Sequence, residues 1–237
     1  LSKIEKGNFW FESRNRLLIW ALRRYFNTAA NFLEIGCGTG FALSALRQEF
    51  PRMAFAGSEI FVEGLAYAKA RAPDVRFFQM DARHIPFENE FDVVGAFDML
   101  EHVEEDTIVL REMFRAANRG GGILLTVPQH PFLWSSADDH GRHKRRYTRR
   151  DMTKKVTRAG FQILRVTSFV SLLLPFMALV RVGRCGPHVK ADPFAEFKIG
   201  GFINDSLNYA MSLERLLIEW GFSLPLGGSL LVAARKP

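Results

Sequence analysis

"NFLEIGCGTGFALSALRQEF", residues 31–50, passes from an apolar run into three glycines and out into a helical pattern. The run 31–35 reads as a buried strand and 40–50 as the helix that follows it. Between them, Gly36, Gly38 and Gly40 form G-x-G-x-G, a loop that lets backbone approach a nucleotide-like ligand. Position 41 is Phe, so the G-x-G-x-x-G fingerprint of dinucleotide sites is not met. Glu34 precedes the first glycine, where a carboxylate suits a cation better than a pyrophosphate. Glu59 closes the next strand, where a carboxylate can accept hydrogen bonds from both hydroxyls of a ribose. These residues together describe a ligand with a ribose, a positive charge and no pyrophosphate.

Outward from this stretch the chain alternates short apolar runs with longer helical patterns: strand 53–58, helix 61–72, strand 75–79. A fourth strand, "FDVVGAF" (91–97), precedes a helix carrying Val109, Leu110, Met113, Phe114 and Ala117 at helical spacing. That helix is expected to stop at "RGGG", with Gly120 as a left-handed cap, before a fifth strand "ILLTVP". Alternation of this kind predicts a parallel sheet covered on both faces, with ligands beyond the carboxyl ends of its strands. On the amino-terminal side, Phe11, Leu18, Leu22 and Tyr25 share one face of an amphipathic helix within 1–28. On the other side, 129–150 loses all periodicity and becomes aromatic and basic, a candidate lid after strand five. Thr148, three before Asp151, marks a new helix start, and a sixth strand "FQILRVTSF" follows. An apolar and helical insertion over 169–220 separates it from the closing strand "GSLLVAAR".

At 237 residues with 48% hydrophobic and 24% charged content, the chain reads as one globular domain, 1–237, rather than a disordered or fibrous protein. Its two cysteines, Cys37 and Cys185, have no metal spacing and no disulfide framework, which points to a cytoplasmic setting. The opening "LSKIEKGNFWFESRNR" lacks the apolar core of a secretory signal. A net charge of +7 and a pI near 9.7 leave anionic lipid and nucleic acid both open as partners.

In "LEIGCGTG", "GSEI", "QMDARHIPF", "FDVVGAFDMLEHVEE" and "LREMFRAANRGGGILLTVP", taken in that order, the chain resembles the class I S-adenosylmethionine-dependent methyltransferases over most of its length. The resemblance implies an α/β, Rossmann-like seven-stranded sheet whose last strand is antiparallel, with the N-terminal helix and the lid added to it. It implies S-adenosyl-L-methionine as cofactor, bound by Arg14, Glu34, Gly36, Cys37, Gly38, Gly40, Glu59, Ile60, Asp81, Ala82, Phe97 and Asp98. Glu59 would hold the ribose and Asp81 face the adenine amino group. A little-characterised bacterial group with a similar "NFWFESRNRLLIW" opening and "RRYT" lid implies that Trp10, Phe11 and Arg14 close over the donor, Arg14 near its carboxylate.

Methyl transfer from a sulfonium asks the protein chiefly for alignment and exclusion of water. A hydroxyl acceptor also gains from a base near neutral pKa, which makes His102 and His143 the candidate catalytic residues. "DMLEHV" is also similar to the ubiquinone-biosynthesis O-methyltransferases, by which Asp98, Glu101 and His102 would be ligands of a divalent metal; the competing reading leaves Glu101 and His102 as a helix start lining the donor pocket. "HGRHKRRYTRRD" is either a solvated charged face or an anion site. No Asp/Asn-Pro-Pro-aromatic tetrad or Pro-Cys follows strand four, which counts against nucleic acid as substrate. "FVSLLLPFMALV" (169–180) is too short to span a bilayer and is interrupted by Pro175; it is a buried helix or an interfacial one at a membrane surface. The acceptor expected is small or amphiphilic, including lipid-linked, and methylated at oxygen. An RNA methyltransferase, a nicotinamide-dependent oxidoreductase and a non-catalytic cofactor-binding protein are the alternatives.

Overall fold

The computed structural model describes residues 2–175, 177 and 200–237. Cys185 and part of the run 169–180 lie outside them. Two helices open the chain, α1 (Ser2–Glu5) and α2 (Phe9–Tyr25), separated at Gly7 where φ is +79°. The single N-terminal helix expected over 1–28 is therefore in two pieces. Asn8 caps the second piece, its side chain accepting from the Trp10 N–H at 3.0 Å.

The alternating units follow: β1 (Asn31–Ile35), α3 (Phe41–Glu49), β2 (Ala54–Glu59), α4 (Val62–Arg71), β3 (Arg76–Gln79), β4 (Phe91–Phe97) and α5 (Asp106–Ala116). Next come β5 (Ala117–Pro128), α6 (Ser136–His140), α7 (Arg149–Arg158), β6 (Gln162–Phe169), α8 (Gly201–Glu219) and β7 (Ser229–Arg235). The sheet has seven strands in the order β3-β2-β1-β4-β5-β7-β6, all parallel except β7, which runs antiparallel to both neighbours.

Central strands covered on both faces should be apolar at successive positions, and these are. Leu33, Ile35, Val94, Ala96, Ile123, Leu125 and Val127 point to one face and pack with Leu110, Met113, Met152 and Val156 of α5 and α7. Phe32, Val93, Phe97 and Leu124 point to the other, against Leu18 and Leu22 of α2, Leu43 of α3, and Met211 and Ile218 of α8. The period-2 alternation along each strand thus builds two separate cores from one set of sequence runs.

One boundary differs from the sequence expectation. Helix α5 ends at Ala116, and the "NRGGG" stretch belongs to β5. Gly120 is left-handed at φ +80°, as expected, but it sits where the β4–β5 pairing shifts from Ala117 to Gly122. There the Gly120 N–H donates to the Lys236 carbonyl at 2.9 Å and the Lys236 N–H to the Gly121 carbonyl at 2.8 Å. Pairing with the chain's last residues, which no local pattern announces, is what turns a helix cap into an irregular strand start.

Candidate functional site

Because β1, β2, β4 and β5 are parallel, the loops after them gather at one edge of the sheet. The glycine loop follows β1, with Gly36, Gly38 and Gly40 at φ +67°, +54° and +72°. Two of these positions differ in what an added Cβ would meet. At Gly40 a Cβ would meet the backbone Cα of Ala68 in α4 at 3.0 Å, so the loop is pressed against that helix. At Gly38 nothing lies within 4 Å of an added Cβ, so the bare backbone there faces open space. Glu59 closes β2 beside it: its Oε2 accepts from the Gly38 N–H at 3.0 Å and its Oε1 from the Ile60 and Phe61 N–H groups at 2.8 and 3.1 Å. Cys37 is buried between the glycines, and burial pushes its thiol up, away from nucleophilic use.

Glu34 is fully buried, and burial, opposed by Arg14 and reinforced by Glu59, pushes its carboxyl up to about 8. Its Oε2 has no hydrogen-bond partner among the described residues. A buried carboxyl in that condition suits a cation placed next to it. Arg14 reaches in from α2 to Asp98 just beyond β4, Nη1 to Oδ2 at 2.6 Å, with its guanidinium 4.8 Å from the Trp10 ring. Asp98 is itself held at φ +52° by its N–H to Thr126 O at 2.9 Å. The amino-terminal segment is latched down a second time by Glu5, which accepts from Thr39 Oγ1 at 2.5 Å and pairs with Arg71 at 2.9 Å. Glu5 and Arg71 carried no sequence signal, since their roles depend on α1 folding back over the glycine loop.

At the other flank, Phe97 is buried under the edge, whereas Ile60 and Phe61 are exposed just after Glu59. Exposed apolar side chains beside Glu59 suit a flat heteroaromatic ring. Asp81 lies at the rim beside Ala82, its carboxylate held below the usual range by hydrogen bonds from the Arg83 side chain, the closest at 2.7 Å.

The lid over 129–150 is less irregular than expected. A bridge between Gln129 and Tyr147 closes its base, and Tyr147, fully buried, donates its hydroxyl to Asp106 at 2.8 Å. Arg145 pairs with Glu104 and Asp106 and Arg146 with Asp138, so two of the six basic residues between 142 and 150 hold the lid in place. The lid brings His143 against His102, with ring centroids 4.7 Å apart and planes near perpendicular. His143 Nδ1 donates to Asp138 Oδ1 at 2.8 Å, which leaves Nε2, close against Gly141, as the ring nitrogen not held by Asp138. Burial alone would raise the Asp138 carboxyl, but hydrogen bonds from His143 and Arg146 outweigh it and hold it well below the carboxylate range. Asp138 carried no sequence signal: its local contact is a cap accepting from the Ser135 N–H at 2.8 Å, while its contacts with His143 and Arg146 depend on the loop folding back on itself. Burial, followed by the neighbouring His143, lowers His102.

Ligand atoms of Glu101, His102 and His143 lie within 4.8 Å of one another. Asp98 is not in that group; it is tied to Arg14 and Thr126. Glu101 is buried, raised well above the carboxylate range by burial and Asp98, and its Oε2 has no partner among the described residues.

The family model described as "Methyltransferase domain" matches residues 6–166. The ubiquinone biosynthesis O-methyltransferase of Pseudomonas entomophila is 29% identical over 119 residues, 47% of this chain and 50% of that one. The phosphatidylethanolamine N-methyltransferase of Cereibacter sphaeroides is 33% identical over 100 residues, 39% of this chain and 48% of its own length. The chain thus spans about half the length of these curated relatives. Among solved structures, the Haemonchus contortus phosphoethanolamine N-methyltransferase 2 in complex with S-adenosyl-L-methionine superimposes with a TM-score of 0.62 at 21% identity, covering 94% of this chain and 52% of that one. The geranyl diphosphate C-methyltransferase of Streptomyces coelicolor A3(2) gives 0.62 at 13% identity, over 94% and 79%. With the sheet order, the glycine loop and the matched residues all in agreement, the chain belongs to the methyltransferase-domain family and has the class I fold.

Proposed function

We propose that the protein transfers a methyl group from S-adenosyl-L-methionine to an oxygen of a small or amphiphilic acceptor, including a lipid-linked one. The observation that carries this reading is the pairing of Glu59 with the open, left-handed Gly38: an ionisable carboxylate and a bare amide side by side at the mouth of the sheet. Glu34, buried and short of a partner, supports a cationic ligand at the same place. When bound, the donor supplies a methyl group already activated on a positively charged sulfur. The chain's own residues then have three tasks. Gly38 and Glu59 hold the nucleoside; the α2 segment, through Trp10 and Arg14, covers it and keeps water out; and His143 takes the proton of the acceptor hydroxyl at Nε2. Asp138, ionised and hydrogen-bonded to Nδ1–H, fixes the tautomer and stabilises the resulting imidazolium. His102 stands beside it as a second polar wall of the acceptor site.

The amphiphilic acceptor is supported by relatives that include both a ubiquinone biosynthesis O-methyltransferase and a phosphatidylethanolamine N-methyltransferase. A second reading, a divalent cation on Glu101, His102 and His143, is favoured by their proximity alone. Calorimetric titration with S-adenosyl-L-methionine tests the first reading. Glu59→Ala removes an acceptor for three N–H groups and for the ribose, and should weaken binding about 100-fold or more. Wild-type protein that gives no heat with the donor, or a variant that binds as wild type does, would overturn it.

A further inference from the structure

Helix α8 is apolar on the wrong side. Its inner face packs on α2 through Met211 and Ile218, and the two helices run parallel, with Phe9 N–H donating to Asn204 at 2.8 Å and Ser13 to Asn208 at 3.4 Å. A surface helix of this kind should be polar outside. Instead Phe202 and, seven residues on, Tyr209, Leu213, Leu216, Leu217 and Trp220, the last five following three- and four-residue steps, are all exposed along one stripe. Phe202 is 87% and Trp220 76% accessible, and Phe222 continues the stripe beyond the helix at 60%. One acidic residue borders it, Asp205, exposed between Phe202 and Tyr209; of the others, Arg215 and Glu219 pair with each other to one side, and Glu214 is turned inward to the Ser171 and Leu172 N–H groups. Of the seventeen large hydrophobic residues exposed among the described residues, nine fall between 202 and 226, so this is one concentrated surface and not the usual scatter.

The residue types and the charges around the stripe select its occupant. Trp, Tyr and Phe beside leucines are the side chains that settle at a membrane interface, where one end is apolar and the other wet. Basic groups gather at the carboxyl end of the stripe. Arg165 donates to the carbonyls of Gly221 and Phe222 and so sits against the carboxyl end of the stripe. Arg24, exposed, lies at the same end, because α2 runs parallel to α8, whereas Arg23 is paired with Glu49 of α3. The chain as a whole carries +7. No helix among the described residues is long and apolar enough to cross a bilayer, so such a surface would lie on the membrane rather than in it.

We propose that the outer face of α8 docks the protein onto the surface of a bilayer carrying anionic phospholipid. Its amino end is next to the candidate site: Asn204 donates to the Gly7 carbonyl at 2.9 Å, two residues from Glu5, which latches the glycine loop. Docking would therefore set the mouth of the sheet beside the lipid headgroups. The proposal does not depend on methyl transfer, and its test reads binding alone.

The full chain is sedimented with phosphatidylcholine vesicles and with phosphatidylcholine/phosphatidylglycerol vesicles. It should pellet with the mixed vesicles, be released by salt, and bind pure phosphatidylcholine far more weakly. Leu213→Glu with Leu216→Glu should lower the partition at least about tenfold while leaving donor binding by calorimetry unchanged. Arg24→Glu should lose affinity for the anionic vesicles only. Trp220 emission, taken as the difference from Trp220→Phe, should shift to the blue on adding mixed vesicles. Four results would overturn the proposal: no pelleting with either vesicle, leucine variants that pellet as wild type does, Trp220 already shielded without lipid because residues 178–199 cover it, or a wild-type dimer that the leucine variants dissociate.

Discussion

Glu34→Gln should make this protein more stable and worse at holding its donor. The carboxyl of Glu34 is raised from its ordinary 4.5 to about 8 by burial. Between those pH values the folded protein keeps a proton that the unfolded chain releases, so stability falls as pH rises through the interval and is fully recovered only below about 4.5. From 4.5 to pH 7, at ~1.4 kcal/mol per pH unit, the loss is about 3 kcal/mol. Glutamine has nearly the same shape and no ionisation to suppress, so at pH 7 the variant should gain on the order of 3 kcal/mol. In a chain of this size that raises Tm by about 6–12 °C. Urea denaturation of both proteins at pH 5, 7 and 8 isolates the effect, because every other titrating group is common to the pair. The stability gap should shrink below about 1 kcal/mol at pH 5 and widen at pH 8. In calorimetry the same variant should bind S-adenosyl-L-methionine about tenfold or more weakly, since the carboxylate that a cation would draw out is gone. A variant no more stable than wild type at pH 7, or a gap that does not move with pH, would refute the assignment of Glu34 as a buried, proton-holding carboxyl.

Other outcomes follow from the lid and the latch. His143→Gln should reduce transfer to a hydroxyl acceptor by about 100-fold or more with donor affinity unchanged, and Asp138→Asn should reduce kcat while disturbing KM less, because it frees the ring without removing it. Burial and His143 hold His102 below its ordinary 6.5; if it rather than His143 had to be neutral for transfer, the acid limb of the pH–rate profile would have its midpoint below 6.5. Chelation with EDTA should leave the rate unchanged if the histidines act as bases, and abolish it if Glu101, His102 and His143 hold a cation. Glu5→Gln weakens the contacts to Thr39 and Arg71 and should speed donor dissociation several-fold in stopped flow, with little change in overall stability.

Sequence alone carried the order of strands and helices, because each central strand is a run apolar at successive positions and each covering helix repeats its own period. It carried the glycine loop and Glu59 too, since a left-handed turn and a strand-end carboxylate are local features with local residue requirements. The antiparallel closing strand came from the resemblance rather than from its own pattern. Tertiary structure decided what no period encodes. The partner of Arg14 is Asp98, 84 residues away; Asp138 reaches His143 across a loop and Arg146 beyond it; and the helix stop expected at Gly120 became a strand because the chain's last residues pair there. Backbone periodicity reports which side of an element is buried, but not what buries it. That is why helical sequence before the closing strand could be expected over 169–220, while the exposure of α8's outer apolar stripe emerged only when α2 was seen to occupy the opposite face.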